Sequence, residues 1–189
     1  MVTSNTVPST SLLPAGVSYC QCQYLQWGYW TGELDTPNAA GTSVIRRDVA
    51  HINTWVAGIP TPVGDLNTLA MQGATGSYNG HLSGSVFNNG AQYLAAGGLA
   101  ATYNFANQMG TFSVINYDGR SFSATGRAAS QGANYTFGIN NPQGLPIAGT
   151  INGSFYGPMA AETGGNFAFN STAGPTYRTS GIFAASQRR

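Results

Sequence analysis

The stretch Gly153-Ser154-Phe155-Tyr156-Gly157-Pro158-Met159-Ala160-Ala161-Glu162-Thr163-Gly164-Gly165-Asn166-Phe167 decides how this 189-residue chain is read. Phe155 and Tyr156 belong to a strand that Gly157-Pro158 breaks, because proline fixes φ and offers no ladder N–H. A second strand begins at about Gly165 and runs through Asn166-Phe167. Pro158 and the Gly164-Gly165 pair imply a loop of unusual φ values, and Glu162 is placed to accept backbone N–H groups that hold it. A catalytic role for Glu162 needs a second carboxylate, and the rest of the chain offers only Glu33 and four aspartates.

Outward from this stretch, turn signals recur about every ten residues. Asn79-Gly80, Asn89-Gly90 and Asp118-Gly119 are type I′ hairpin dipeptides, and Asn140-Asn141-Pro142 is a further break. Short alternating segments between them place strands at about 19–34, 47–59, 73–78, 81–87, 98–106, 110–117, 120–127, 134–139, 147–156, 165–171 and 177–184. No segment keeps a helical period. A two-residue loop at Asp118-Gly119 sets Tyr117 opposite Arg120 and Ile115 opposite Phe122, so that the last two share a core face. Glycines inside the strands permit the sharp coiling of a small barrel. Gly76-Ser77-Tyr78-Asn79-Gly80 matches Gly153-Ser154-Phe155-Tyr156-Gly157 in type, which reads either as a structural repeat or as two glycine-rich strands looking alike. The expected fold is all-β, an antiparallel meander closing into a roughly eight-stranded β-barrel with extra N-terminal strands.

Composition removes whole classes of function. Glycine occupies 26 positions and charged residues make up 7%, which excludes a helical protein whose solvated faces are written in Lys, Glu and Arg. Ten tyrosines, nine phenylalanines and three tryptophans supply too much apolar area for a disordered chain. The net charge is +1 and lysine is absent, so nucleic acid and acidic membranes are poor partners and Schiff-base or P-loop lysine chemistry has no residue to use. Residues Leu94–Ala101, the longest apolar stretch, fall far short of the roughly 20 residues of a membrane helix. Residues 1–18 lack the basic and apolar regions of a signal peptide, and Cys20 follows Tyr19 instead of the small residues that precede a lipid-anchor cysteine. The chain therefore reads as a mature piece or as the C-terminal part of something longer.

Residues 153–167 resemble the G-x-F-Y-G-P-x-A-x-E-x-G-G-x-F signature of the β-barrel domains of transferrin-binding protein B and related bacterial surface proteins. The signature residues are Gly153, Phe155, Tyr156, Gly157, Pro158, Glu162, Gly164, Gly165 and Phe167. The final segment Tyr177–Ala184 is similar to the strand that closes those barrels, and Tyr103-Asn104-Phe105 followed by Gly110-Thr111-Phe112 is similar to an earlier strand pair. The resemblance spans about residues 55–185 and implies a barrel of eight strands. It divides the chain into an arm or linker at 1–18, N-terminal strands at 19–59 packing on the barrel, and the barrel at 60–189. The family's iron-protein receptors are large two-lobed lipoproteins with handle domains, so the resemblance carries the barrel and not transferrin binding itself. Cys20–Trp30 looks like the tryptophan-rich strand that precedes single barrels of this kind.

Cys20 and Cys22, one residue apart on an expected strand, have Cα atoms roughly 6.5–7 Å apart, marginal for a disulfide. A disulfide, free buried thiols, and a soft-metal or haem site completed by His51 or His81 stay open as readings. His81, after the Asn79-Gly80 turn, is expected at an exposed loop rim, and His51 within a strand wall. No Gly-x-Ser-x-Gly elbow or Ser/His/Asp arrangement is present, so no catalytic residue, metal site or cofactor is expected. Trp27, Tyr29, Trp30 and Trp55 form either a binding surface or packing between barrel and strands. Asn134-Tyr135-Thr136, Asn152-Gly153-Ser154 and Asn170-Ser171-Thr172 match glycosylation acceptors by chance in an Asn/Ser-rich chain. The function expected is a non-enzymatic bacterial surface or secreted module that binds a protein through its loops, linked to iron or haem acquisition. The alternative is an assembly module of a larger envelope or extracellular protein that self-associates through its N-terminal strands as a homo-oligomer.

Overall fold

A computed structural model describes residue 13 and residues 15–140, 142–174 and 176–187, with the backbone alone at 31–34 and 47–52. Most of the expected arm therefore lies outside the described residues, as does the side chain of His51. Among the described residues eleven strands are present: β1 Leu25–Pro37, β2 Val44–Gly58, β3 Thr75–Asn88, β4 Ala91–Asn104, β5 Met109–Tyr117, β6 Arg120–Arg127, β7 Ala129–Gln131, β8 Asn134–Asn140, β9 Ile147–Tyr156, β10 Glu162–Ser171 and β11 Tyr177–Gln187. β1 and β2 pair only with each other, and the other nine form one antiparallel sheet in the order β6-β5-β4-β3-β11-β10-β9-β8-β7.

That sheet is nearly closed into a barrel. β6 pairs with β5 and β7 pairs with β8, and only Ala128 separates β6 from β7. The two are halves of one bent strand that spans the seam, so the barrel has eight walls, the number expected from the sequence. Alternation sends Tyr78, Leu82, Val86, Leu99, Phe112, Val114, Phe122, Phe137, Ile151, Phe167 and Phe183 into one interior cluster. On the walls not covered by the N-terminal strands the outward face is polar: Thr136 donates to Asn152, Asn152 to Asn166, and Thr111 pairs with Thr125 across neighbouring strands. A lipid-facing barrel would reverse this arrangement.

Four local expectations are corrected. Asn79-Gly80 is no turn: β3 runs straight through it, because a Cβ at Gly80 would overlap the Ala184 carbonyl and only glycine lets the two strands approach that closely. In the Asp118-Gly119 hairpin the turn and the Tyr117–Arg120 pair hold, but a bulge between Val114 and Tyr117 shifts the register. Val114 therefore opposes Phe122, and Ile115 is 43% exposed. Helix α1 (Val63–Met71) was not signalled, since only Leu69 of its nine residues is buried and the helical period is faint. Gly73, expected in a strand, follows this helix with φ +63°. The two Gly-Ser-aromatic-x-Gly segments play different parts, one inside β3 and the other running off the end of β9 at Gly157, where φ is +71°.

Candidate binding surface

The turn between β9 and β10 is built from Pro158, Met159 and Ala160, the last two in the left-handed region at φ 51° and 55°. Gly164 and Gly165 do not share that conformation; they are glycines because the sheet is crowded there. A Cβ at Gly165 would overlap the Asn152 carbonyl and lie 2.6 Å from Gly153 Cα, directly opposite in the β9–β10 register. Glu162 is buried, and its carboxylate takes three backbone N–H groups: Oε1 from Gln23 at 2.5 Å, Oε2 from Tyr24 at 2.9 Å and from Leu25 at 2.8 Å. The carboxylate thus holds the chain at the start of β1, not its own loop.

Residues 17–30 cover the outer wall of the barrel. Leu25 packs on Tyr156 and Ala184, with Tyr24, Trp27 and Val56 around them. His81 points outward from β3 and is fully buried beneath Trp27 and Tyr19, with ring centroids 4.2 and 4.9 Å away. Its Nδ1 accepts the Cys20 N–H at 3.1 Å, which places the proton on Nε2, a buried atom without a hydrogen-bond partner. Burial lowers its pKa from 6.5 to about 3, so the imidazole is neutral. Cys20 and Cys22 form a disulfide with Cα atoms 5.2 Å apart, closer than a regular strand allows because residues 17–22 pair with no strand. Among the described residues no group of three or more His, Cys, Asp or Glu is arranged to hold a metal ion.

The barrel is stoppered at both ends. α1 sets Leu66, Leu69 and Ala70 against the core at one end. At the other, the Arg120 guanidinium lies 3.9 Å above the buried Tyr177 ring and pairs with Asp118 at 2.6 Å, while the Tyr93 hydroxyl donates to Asp118 at 3.0 Å. Tyr117 bonds Thr179 and Tyr135 bonds Thr163 inside. The interior retains a cavity of about 20 Å³, room for about one water molecule and not for a ligand. Beside the Arg120 stopper the rim exposes Phe87 at 36% and Tyr93 at 38%, with the Arg178 guanidinium 5.1 Å above the Phe87 ring.

This architecture matches solved structures of transferrin-binding protein B. The chain is similar to transferrin-binding protein B from Haemophilus parasuis Hp5, with a TM-score of 0.60 and 17% identity over 88% of this chain and 33% of that one. It is similar also to isotype 1 transferrin-binding protein B from serogroup B Neisseria meningitidis, with a TM-score of 0.59 and 22% identity over 90% of this chain and 32% of that one. The fold is that of a transferrin-binding protein B barrel domain. The chain spans about a third of the length of these proteins. No family model and no curated protein matches the sequence.

Within this transferrin-binding protein B-like barrel the four aromatics singled out in the sequence separate. Trp27 and Tyr29 face the barrel, their rings 6.4 Å apart. On the opposite side of the β1–β2 ribbon, Trp55 lies over Gly28, where a Cβ would meet its ring at 2.9 Å, and Trp30 is 40% exposed. Among the signature residues, Phe155 and Phe167 enter the core, Tyr156 supports Leu25, and Gly157 lies against the Tyr24 ring. The rim group of Phe87, Tyr93, Arg120 and Arg178 comes from four strands, β3, β4, β6 and β11, and went unnoticed in sequence. The flanking Asn89-Gly90 and Asp118-Gly119 turns were its only signal. No helix among the described residues is long and apolar enough to cross a membrane.

Proposed function

We propose that this chain is a non-enzymatic binding module, displayed on the bacterial cell surface or secreted, that recognises a protein with the barrel rim remote from α1. The observation that carries this reading is the rim itself. Phe87, Tyr93 and Arg178 are exposed beside a filled barrel, and aromatic residues with arginine are the residue types that dominate protein–protein hot spots. A stoppered interior leaves the surface to carry recognition. The solved proteins of this fold are named for binding transferrin, and iron or haem acquisition is the finer form of the proposal. Biolayer interferometry with iron-loaded transferrin and with haemoglobin tests it: the parent chain binds one of them, and Phe87→Ala/Tyr93→Ala/Arg178→Ala loses at least about a hundredfold in affinity. Equal affinity of parent and variant rules out the rim, and binding of neither protein rules out the iron-linked form.

A second reading, self-assembly, is favoured by the β1–β2 ribbon. Among the described residues neither outer edge pairs with a further strand, residues 35–46 are exposed apart from a half-buried Asn38, and Val44 and Ile45 stand at 49% and 68% exposure. A two-stranded ribbon is marginal alone and gains from added strands. Light scattering decides: assembly gives a dimer or larger species that Ile45→Glu returns to monomer, and a parent chain monomeric at high concentration excludes it.

A further inference from the structure

We propose that the cleft between residues 21–24 and the β9–β10 turn is a binding site for a neutral saccharide. The cleft has a volume of about 590 Å³, within the range of small-molecule sites and suited to a disaccharide. It lies at the α1 end of the barrel, where Asp65 of α1 accepts the Met159 N–H at 2.8 Å. The proposal is therefore independent of the rim reading.

Chemistry and rigidity both point to this ligand class. Gln21, Gln23 and Gln187 line the cleft with Ser186, Tyr24 and Met159. The carboxamides of Gln21 and Gln23 donate and accept at once, which matches adjacent sugar hydroxyls, and Gln187, its amide nitrogen turned to the Ala160 carbonyl, adds an acceptor oxygen; a tyrosine ring and a thioether chain offer apolar surface to the C–H face of a pyranose. Glu162 is the one charged residue among the described lining, and its two oxygens are already engaged by three backbone N–H groups. The described lining thus has no cationic group to recognise an anion, and its one carboxylate is committed to the backbone of residues 23–25.

Both walls are held in place before any ligand arrives. The Cys20–Cys22 disulfide brackets Gln21, Glu162 fixes the backbone of Gln23 and Tyr24, and Gly157 lies against the Tyr24 ring. On the facing wall the Gln187 amide donates to the Ala160 carbonyl at 3.0 Å. Met159 and Ala160 there hold left-handed conformations that a residue with a side chain seldom adopts. A preorganised polar wall lowers the ordering cost that otherwise weakens saccharide binding.

The test is an NMR titration of the glutamine side-chain amides with lactose, maltose, cellobiose and N,N′-diacetylchitobiose. Acetyl-Gly-Gly-amide serves as a neutral peptide control and 3′-sialyllactose as an anionic one. At least one neutral disaccharide should shift the Gln21, Gln23 and Gln187 resonances saturably in the millimolar range. Gln21→Ala/Gln23→Ala, which replaces two exposed residues, should weaken that binding about tenfold or more at an unchanged melting temperature. The proposal is overturned if no disaccharide shifts these resonances at about 50 mM, if the double variant binds as the parent does, or if only the peptide or the sialylated sugar binds.

Discussion

Glu162 Oε2 accepts the Leu25 N–H at 2.8 Å across 137 residues of chain, and this bond, with those to Gln23 and Tyr24, joins the N-terminal strands to the barrel. Hydrogen bonds to a charged acceptor are worth more than neutral ones, and their loss leaves buried N–H groups unpaired. Glu162→Gln keeps the shape but turns an NH₂ group toward the donors. It should cost about 2–4 kcal/mol in denaturant unfolding. A change within error would show that the three bonds do not hold the junction.

His81 gives the junction a pH dependence. The native state keeps it neutral down to about pH 3, whereas the unfolded chain protonates it near 6.5. Below 6.5 the unfolded state binds the extra proton, so stability falls as pH drops from 6.5 toward 3, by about 1.4 kcal/mol per unit. His81→Leu, lacking the titrating group, should show a shallower loss over that window. Parallel stability curves for parent and variant would contradict the burial of a neutral imidazole.

Close glycine packing makes the barrel sensitive at some glycines and indifferent at others. Gly165→Ala should cost about 3 kcal/mol or more, because its Cβ meets backbone on β9, whereas Gly138→Ala, with nothing within 4 Å of its Cβ, should be near neutral. Thermal melts of the pair separate steric crowding from general glycine flexibility.

The bulge in β5 sets a further contrast. Phe122 stacks edge-to-face on Phe169 at 5.6 Å and is 4% exposed, so Phe122→Ala should cost about 3–5 kcal/mol. Ile115→Ala, at a half-solvated position, should cost under about 1 kcal/mol. Similar penalties at both sites would restore the register expected from the sequence.

The parts of the fold that were legible rest on local chemistry. The Gly157-Pro158 break, the alternation of Phe167 and Phe169, and the Asp118-Gly119 turn are short-range signals, and each strand they mark is present. Glu162 was legible as an acceptor of backbone N–H groups, but its donors lie far away in sequence, and no spacing points to them. His81 was misplaced for a related reason: Asn79-Gly80 has the composition of a turn, yet its glycine serves a close strand crossing that only the closed barrel creates. With β3 unbroken, His81 moves from a rim to the wall beneath Trp27. Deletion of residues 1–34 therefore should not leave the soluble barrel that a separable arm implies, because Leu25, Trp27 and Tyr19 cover an apolar wall.

The most direct test of the rim as the recognition surface is site-specific photo-cross-linking in serum containing iron-loaded transferrin and haemoglobin. p-Benzoylphenylalanine replaces Tyr93 on the rim in one variant and the exposed Thr136 on the outer wall in another. The account predicts a discrete protein adduct from position 93 and none from position 136; equal adducts from both positions, or none from position 93, would contradict it.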